Sequence, residues 1–191
     1  MSKDKIRGIG VDDAPFEFSQ KKVLVVGSVV RAPNYLEGVL STEVEVDGED
    51  ATERLSDMIT NSRFCDQANI LFIDGAAVGG FNLVDLEELF ESTETPTVSI
   101  SRRKPDFENI EKALKHHFED WEIKLEKIKK GRIYEVKTEH NPVYVQKEGL
   151  GLERVKSLIK KFTVRGRLPE PIRMSHMIAS GVVRGESRGK A

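Results

Sequence analysis

A mixed α/β fold, one sheet with helices on both of its faces, is the architecture this sequence predicts. Three observations lead to it. Three β-branched runs follow one another near the start, strand-like and helix-like periods then alternate, and 191 residues suit one domain with a sizeable core. Residues 1–184 read as that domain and residues 185–191 as a polar, mobile tail.

The first run, Ile6 to Val11, leads into Asp12-Asp13. Val23 to Val30 and Val39 to Val46 follow, the latter alternating through Val39, Thr42, Val44 and Val46, and the three read as consecutive antiparallel strands. Asp47-Gly48-Glu49-Asp50 breaks the pattern, and Asp50 caps a helix carrying Leu55, Met58 and Ile59. Asn69 to Ile73 is a short continuous apolar run, as in a strand buried on both faces, and it ends at Asp74-Gly75. After a loop at Gly79-Gly80, Leu83, Leu86, Leu89 and Phe90 keep helical spacing, and Pro96 to Ser101 is a further strand. Asp106 caps a long helix that carries Phe107, Ile110, Leu114, Phe118 and Trp121 on one face and runs to Gly131. Ile133 to Thr138 and Val143 to Gln146 are strand-like, and Leu152, Val155, Ile159 and Phe162 mark a helix. The last helix starts at Leu168-Pro169-Glu170-Pro171 and passes through Ile172, His176, Ala179 and Val183. The βββαβα opening is the order of ribonuclease H-like nuclease folds.

Composition narrows the function classes. Cys65 is the only cysteine, which excludes an intrachain disulfide or a thiolate metal cluster and suits a half-buried thiol near a helix end. No apolar stretch approaches the roughly 18 residues that span a bilayer, and Met1 to Lys5 lead into no signal-peptide core. A cytoplasmic protein without a membrane partner is expected. Residues 1–100 hold 8 Lys/Arg and 19 Asp/Glu, a net of −11, whereas residues 101–191 hold 22 and 13, a net of +9. An acidic metal-binding half beside a basic half that meets nucleic acid is one reading of that reversal; charges intermixed on folding is the other.

Asp12 and Asp74 each stand at a strand end, where ligands of mixed sheets gather. Carboxylates held close repel one another, and a divalent cation compensates; hard oxygen donors point to Mg²⁺ or Mn²⁺. Turn-capping is the alternative role for Asp before Gly. A third ligand is sought among Asp50, Glu43 and Asp47, with Asp50 the first choice because a side chain in the first turn of that helix can lean over the strand ends. His176, on the face of Ile172 and Ala179, is either a packed histidine or a ligand and proton carrier. Arg102-Arg103-Lys104 after a strand, and Arg165, Arg167 and Arg173 around the start of the last helix, are candidate phosphate contacts. The Gly75 to Gly80 segment lacks the Lys-Ser/Thr of a nucleotide loop.

Together these segments resemble a known family. Gly10-Val11-Asp12-Asp13, Leu36 to Thr42, Asp47 to Thr52, Ile73-Asp74-Gly75 with Gly80-Phe81-Asn82, Arg103 to Asp106, and Arg165 to Arg173 through Gly185-Glu186-Ser187-Arg188-Gly189 are similar to an archaeal family, endonuclease dU, related to endonuclease V. The resemblance covers essentially the whole chain and implies a ribonuclease H-like, endonuclease V-like fold. It also implies a metal-dependent endonuclease for DNA repair, cutting at or near deaminated bases, deoxyuridine or deoxyinosine. By that resemblance Asp12 and Asp74 hold Mg²⁺ or Mn²⁺ and His176 lies near the metals, with Asp50 proposed to complete the set. Endonuclease V carries a Phe-Arg-Glu for its second carboxylate, which this chain lacks. Its Pro-Tyr-Ile-Pro wedge is replaced here by Asn34-Tyr35-Leu36-Glu37, in which Tyr35 can stack on a base whereas Glu37 repels phosphate if it faces the duplex. Gly79 and Gly80 are the candidate wall of a flipped-base pocket. A nucleic-acid-binding module without turnover and an RNA-directed nuclease are the competing functions; salt-sensitive binding that survives loss of both aspartates would mark the former.

Overall fold

The structure is a computed structural model that describes residues 6–188; Met1 to Lys5 and the tail residues Gly189, Lys190 and Ala191 lie outside the described residues. Its centre is a seven-stranded mixed sheet in the order β3-β2-β1-β4-β7-β9-β8. Strands β1 (Arg7–Asp13), β2 (Lys22–Arg31) and β3 (Tyr35–Glu45) form the antiparallel meander expected from the three apolar runs. Helix α1 (Ala51–Thr60) then crosses to β4 (Ile70–Asp74), which pairs parallel with β1, and β7 (Thr97–Ser101) pairs parallel with β4. Beyond it, β9 (Val143–Glu148) and β8 (Tyr134–Val136) close the sheet antiparallel. The short run Ile70 to Ile73 is wholly buried because helices cover both faces of its strand.

One face packs Ile9, Val11, Val25, Leu71 and Ile73 under α1 and α2 (Leu86–Thr93). On the other, Phe72, Val98 and Ile100 pack under α5 (Leu152–Phe162) and α6 (Glu170–Arg184). Glycine sets the distance to α6. A Cβ on Gly10 would lie 2.1 Å from the Pro171 carbonyl carbon, so only a bare α-carbon lets the first turn of α6 rest on β1.

Three elements differ from the sequence reading. The long helix is two helices, α3 (Phe107–His117) and α4 (Trp121–Lys129). Phe118 turns extended between them, with its ring edge-on to Phe81 at 5.6 Å and under the Lys124 ammonium at 4.8 Å. That tertiary aromatic contact outweighs the helical periodicity. The Gly79-Gly80 loop is part of a three-residue hairpin turn, Gly79-Gly80-Phe81, between β5 (Ala77–Val78) and β6 (Asn82–Leu83), both glycines at positive φ, so Leu83 belongs to a strand and α2 begins only after its cap, Asp85. Finally, Gly185 closes α6 in the left-handed region and residues 186–188 fold back along the helix instead of trailing away. Cys65 is half-buried in a single 3₁₀ turn, Cys65–Gln67, after α1.

Candidate active site

The parallel register of β1 and β4 pairs Val11 with Ile73, which brings the next residues, Asp12 and Asp74, side by side at the carboxyl ends of the two strands. Successive strand side chains alternate in direction, so Asp12 shares the face of Gly10, towards α6. Helix α6 is keyed to that place by serines. Ser28 donates its hydroxyl proton to the Pro171 carbonyl at 2.6 Å. The Ser175 hydroxyl accepts the Ser28 N–H at 2.9 Å and donates to the Gly10 carbonyl at 2.7 Å. Both serines are fully buried, and the next residue, His176, sets its Nδ1 2.8 Å from Asp12 Oδ2.

Electrostatics concentrate here. Burial, reinforced by the Asp12 carboxylate and opposed by Arg102 and His176, pushes the Asp74 carboxyl up to about 6. Burial raises Asp13 to about 6 as well, against the Gly79 amide that donates to it and with the Asp12 charge. The hydrogen bond that His176 donates to the Asp12 carboxylate raises the histidine, outweighing its burial, and the Arg188 main chain and Asp74 add to the rise. The His176 Nε2 is buried and has no hydrogen-bond partner.

A divalent ion fits this donor set. Two buried, mutually repelling carboxylates supply hard oxygens, and Mg²⁺ commonly takes one or two carboxylates, completing its shell with water and substrate phosphate. Among the described residues no three His, Cys, Asp or Glu side chains are grouped as a ready-made metal cluster. Asp50, the expected third ligand, is placed elsewhere. Its Oδ1 accepts from the Glu45 amide at 3.0 Å and from Asn82 at 2.7 Å, and its Oδ2 from Arg54 at 3.2 Å. Burial works to raise that carboxyl, but these three donors outweigh it and hold it below its ordinary value. Nor does the Asp50 side chain cap α1. Asp47 accepts the Phe81 amide at 2.8 Å. Glu43, paired with Leu24 on the neighbouring strand, lies two strands from β1 and is exposed.

The basic residues divide. Arg102 reaches Asp74 at 3.2 Å, and Arg167 donates to the Arg102 carbonyl at 3.2 Å, which ties the loop before α6 to the one after β7. Arg103, Lys104 and Arg165 are exposed beside them in sequence. Arg173 is held by Glu170, with both carboxylate oxygens at 3.2 Å. Tyr35 is 59% exposed at the β2–β3 turn, with the Arg31 guanidinium 4.5 Å over its ring. Glu37 is paired with Arg7 at 2.5 Å and with Arg31 at 3.3 Å, which neutralises the charge that would repel a phosphate. Gly79 and Gly80 form a packed turn: Gly79 donates to Asp13 at 2.6 Å and lies against Val23 and Val44, and Gly80 lies against Asp47. A cavity of about 530 Å³ opens instead between α1, α2 and α4, lined by Thr52, Ala76, Val84 and Lys124 among others.

The endonuclease dU family profile matches residues 4–183. The chain belongs to the endonuclease dU family. A UPF0215 protein of Methanothermobacter thermautotrophicus is 45% identical over 191 residues, covering 99% of this chain and 93% of its own length. A crystal structure of a protein of unknown function from Archaeoglobus fulgidus superposes with a TM-score of 0.84 at 37% identity, over 95% of this chain and 100% of that one. Endonuclease V from Ciona intestinalis, solved with a 24mer DNA containing an inosine followed by a ribo-adenosine, matches with a TM-score of 0.62 at 13% identity, over 96% of this chain and 88% of that one. That likeness establishes the endonuclease V fold, a ribonuclease H-like one, for this endonuclease dU chain. Among the described residues no helix is long and apolar enough to cross a membrane.

Ser28, Ser175, Gly10 and Arg188 were not singled out from sequence as site residues. The serines carry no sequence signal, being small polar residues inside apolar stretches. Gly10 interrupts a β-branched strand, which is itself a sign of close backbone approach.

Proposed function

We propose that this protein is a divalent-metal-dependent endonuclease that cuts DNA at or near deaminated bases. The observation that carries the reading is the pairing of Asp12 with Asp74 at adjacent parallel strand ends, with His176 hydrogen-bonded to Asp12. Family membership and a fold shared with an enzyme bound to inosine-containing DNA support it.

Asp12 and Asp74 would hold Mg²⁺ or Mn²⁺ through oxygen. When bound, the ion supplies Lewis-acid stabilisation of the phosphoryl oxygens and an acidified water. Asp12 fixes the ring of His176 through Nδ1, and the imidazole so held beside the carboxylate pair carries a proton to or from the attacking or leaving oxygen. Arg102, tethered to Asp74, with Arg103, Lys104, Arg165 and Arg167, holds the backbone phosphates on either side of the cut. Tyr35, exposed at its turn, offers a stacking face to a base.

Oligonucleotides bearing one uracil or hypoxanthine, incubated with purified protein and Mg²⁺, should be nicked by wild type but not by Asp12→Asn or Asp74→Asn. DNA left equally intact by all three overturns the proposal. A matched RNA strand in the same assay distinguishes a DNA from an RNA substrate.

A further inference from the structure

The cavity of about 530 Å³ between α1, α2 and α4 holds a group that the chemistry above does not use. Lys124 lines it, yet its side chain is only 6% exposed. A lysine is buried to that degree only where opposite charge or good acceptors surround it. Its carboxylate neighbours, Glu49 Oε1 at 3.8 Å and Asp120 Oδ2 at 4.0 Å, lie beyond the roughly 3.2 Å reach of an N–H···O bond. The Phe118 ring, set there by the break between α3 and α4, supports the ammonium at 4.8 Å. None of these three contacts is a hydrogen bond, and an ammonium has three to donate.

The rest of the lining narrows the occupant. Six carboxylates and four ammonium groups line the cavity, and Lys130 is already paired with Asp85 at 2.9 Å and Glu87 at 3.0 Å. That balance turns away a phosphate or a free acid. Leu83, Val84, Leu86 and Ile128 supply apolar wall, and the volume suits a small organic ligand. A neutral, flat ring fits, provided that its edge offers an acceptor to Lys124 and a donor to the Glu49 carboxylate beside it. A lactam edge, N–H next to C=O, is such a pair. Deamination creates it: the amino group of cytosine or adenine becomes a carbonyl, and the adjoining ring nitrogen gains a hydrogen. The unaltered bases present the reverse, an amino donor facing an ammonium that only donates. Location agrees. Ala76, part of the wall, stands two residues beyond Asp74, within about 7 Å along the chain, and Gly75 at φ +83 makes the turn between them.

We propose that this cavity receives the deaminated base and that Lys124 and Glu49 select it, Lys124 donating to the new carbonyl and Glu49 accepting the new ring N–H. The nuclease reading brings the base to the cavity; the selection itself does not depend on cutting.

Metal-free, full-length protein separates selection from cutting. Fluorescence anisotropy compares single-stranded oligonucleotides that differ only in one uracil or cytosine, or in one hypoxanthine or adenine, so that base pairing contributes nothing. Wild type should bind the deaminated member of each pair at least about fivefold more tightly, as one two-bond base contact provides. Lys124→Gln, whose amide presents either a donor or an acceptor, should lose the preference chiefly by binding the cytosine and adenine strands better, a gain that misfolding cannot produce. Glu49→Ala, at a side chain 68% exposed, should weaken binding of the uracil and hypoxanthine strands with Tm unchanged. A preference absent from wild type, or unaltered in Lys124→Gln, overturns the proposal even if the protein cuts DNA at uracil. Unaltered binding in Glu49→Ala removes Glu49 from it. A wild type that shows the preference but cuts no strand once Mg²⁺ is added sinks the nuclease reading and leaves the selection standing.

Discussion

Gly10→Ala tests the link from sequence to catalytic geometry most directly. The added methyl would lie 2.1 Å from the Pro171 carbonyl carbon and 2.3 Å from the Ile172 nitrogen, both backbone atoms that cannot rotate aside. Ordinary contact begins near 3.4 Å, so the first turn of α6 must retreat by at least about 1.3 Å. That movement stretches three buried bonds now at 2.6, 2.7 and 2.9 Å, from Ser28 to Pro171, from Ser175 to Gly10, and from the Ser28 amide to Ser175. Leaving buried polar groups unpaired costs about 1–3 kcal/mol each, so the variant should lose at least about 3 kcal/mol. For a chain of this size that corresponds to a fall in Tm of roughly 6–12 °C. The same shift parts His176 from Asp12, so cleavage should fall with stability. Thermal unfolding by circular dichroism and the oligonucleotide assay measure the two effects. Gly8→Ala serves as the control, because its nearest neighbours, at 3.0 and 3.2 Å, are the rings of Phe162 and Phe72, and ring edges can give way more readily than backbone. A Gly10→Ala protein that melts within about 2 °C of wild type and cuts normally would refute the keying of α6 to β1.

The remaining predictions concern charge. With metal removed, the Asp74 carboxyl titrates near 6 instead of its ordinary 3.8, so its favourable state is fully present below about pH 4 and is lost as pH rises through 6. The raised His176 acts in the same direction, its stabilisation being present below the ordinary 6.5 and lost as pH rises through its folded value. The difference between wild type and Asp74→Asn, followed by urea titration in EDTA between pH 4 and 7, should therefore change by up to about 3 kcal/mol, with wild type losing ground as pH rises. A flat difference contradicts the raised carboxyl. Millimolar Mg²⁺ at pH 7 should raise the Tm of wild type and leave Asp12→Asn and Asp74→Asn unmoved in differential scanning fluorimetry. Asp50→Asn should lower Tm yet keep the Mg²⁺ response, since its carboxylate serves Glu45, Asn82 and Arg54; loss of the response would make Asp50 a ligand after all.

What could be read from the chain and what could not follow from the range of the forces involved. Strands β1 to β4 and the amphipathic helices were legible because burial imprints a period on local sequence, and Asp12 and Asp74 stood out as charges ending apolar runs. The break at Phe118 was not, because the helical pattern continues through it and the deciding partners, Phe81 and Lys124, approach through tertiary packing. Asp50 illustrates the same limit at the site. Its position just before a helix suggested a side chain free to lean over the strand ends, but Asn82, from a hairpin that sequence rendered as a loop, takes the carboxylate away. Asn82 holds three partners at once: the Glu45 carbonyl, the Asp50 carboxylate and the Ala51 amide. A fully buried amide so engaged fixes the start of α1 on the face opposite α6, away from the strand ends where Asp12 and Asp74, the carboxylates proposed to hold the metal, meet the histidine that α6 brings to them.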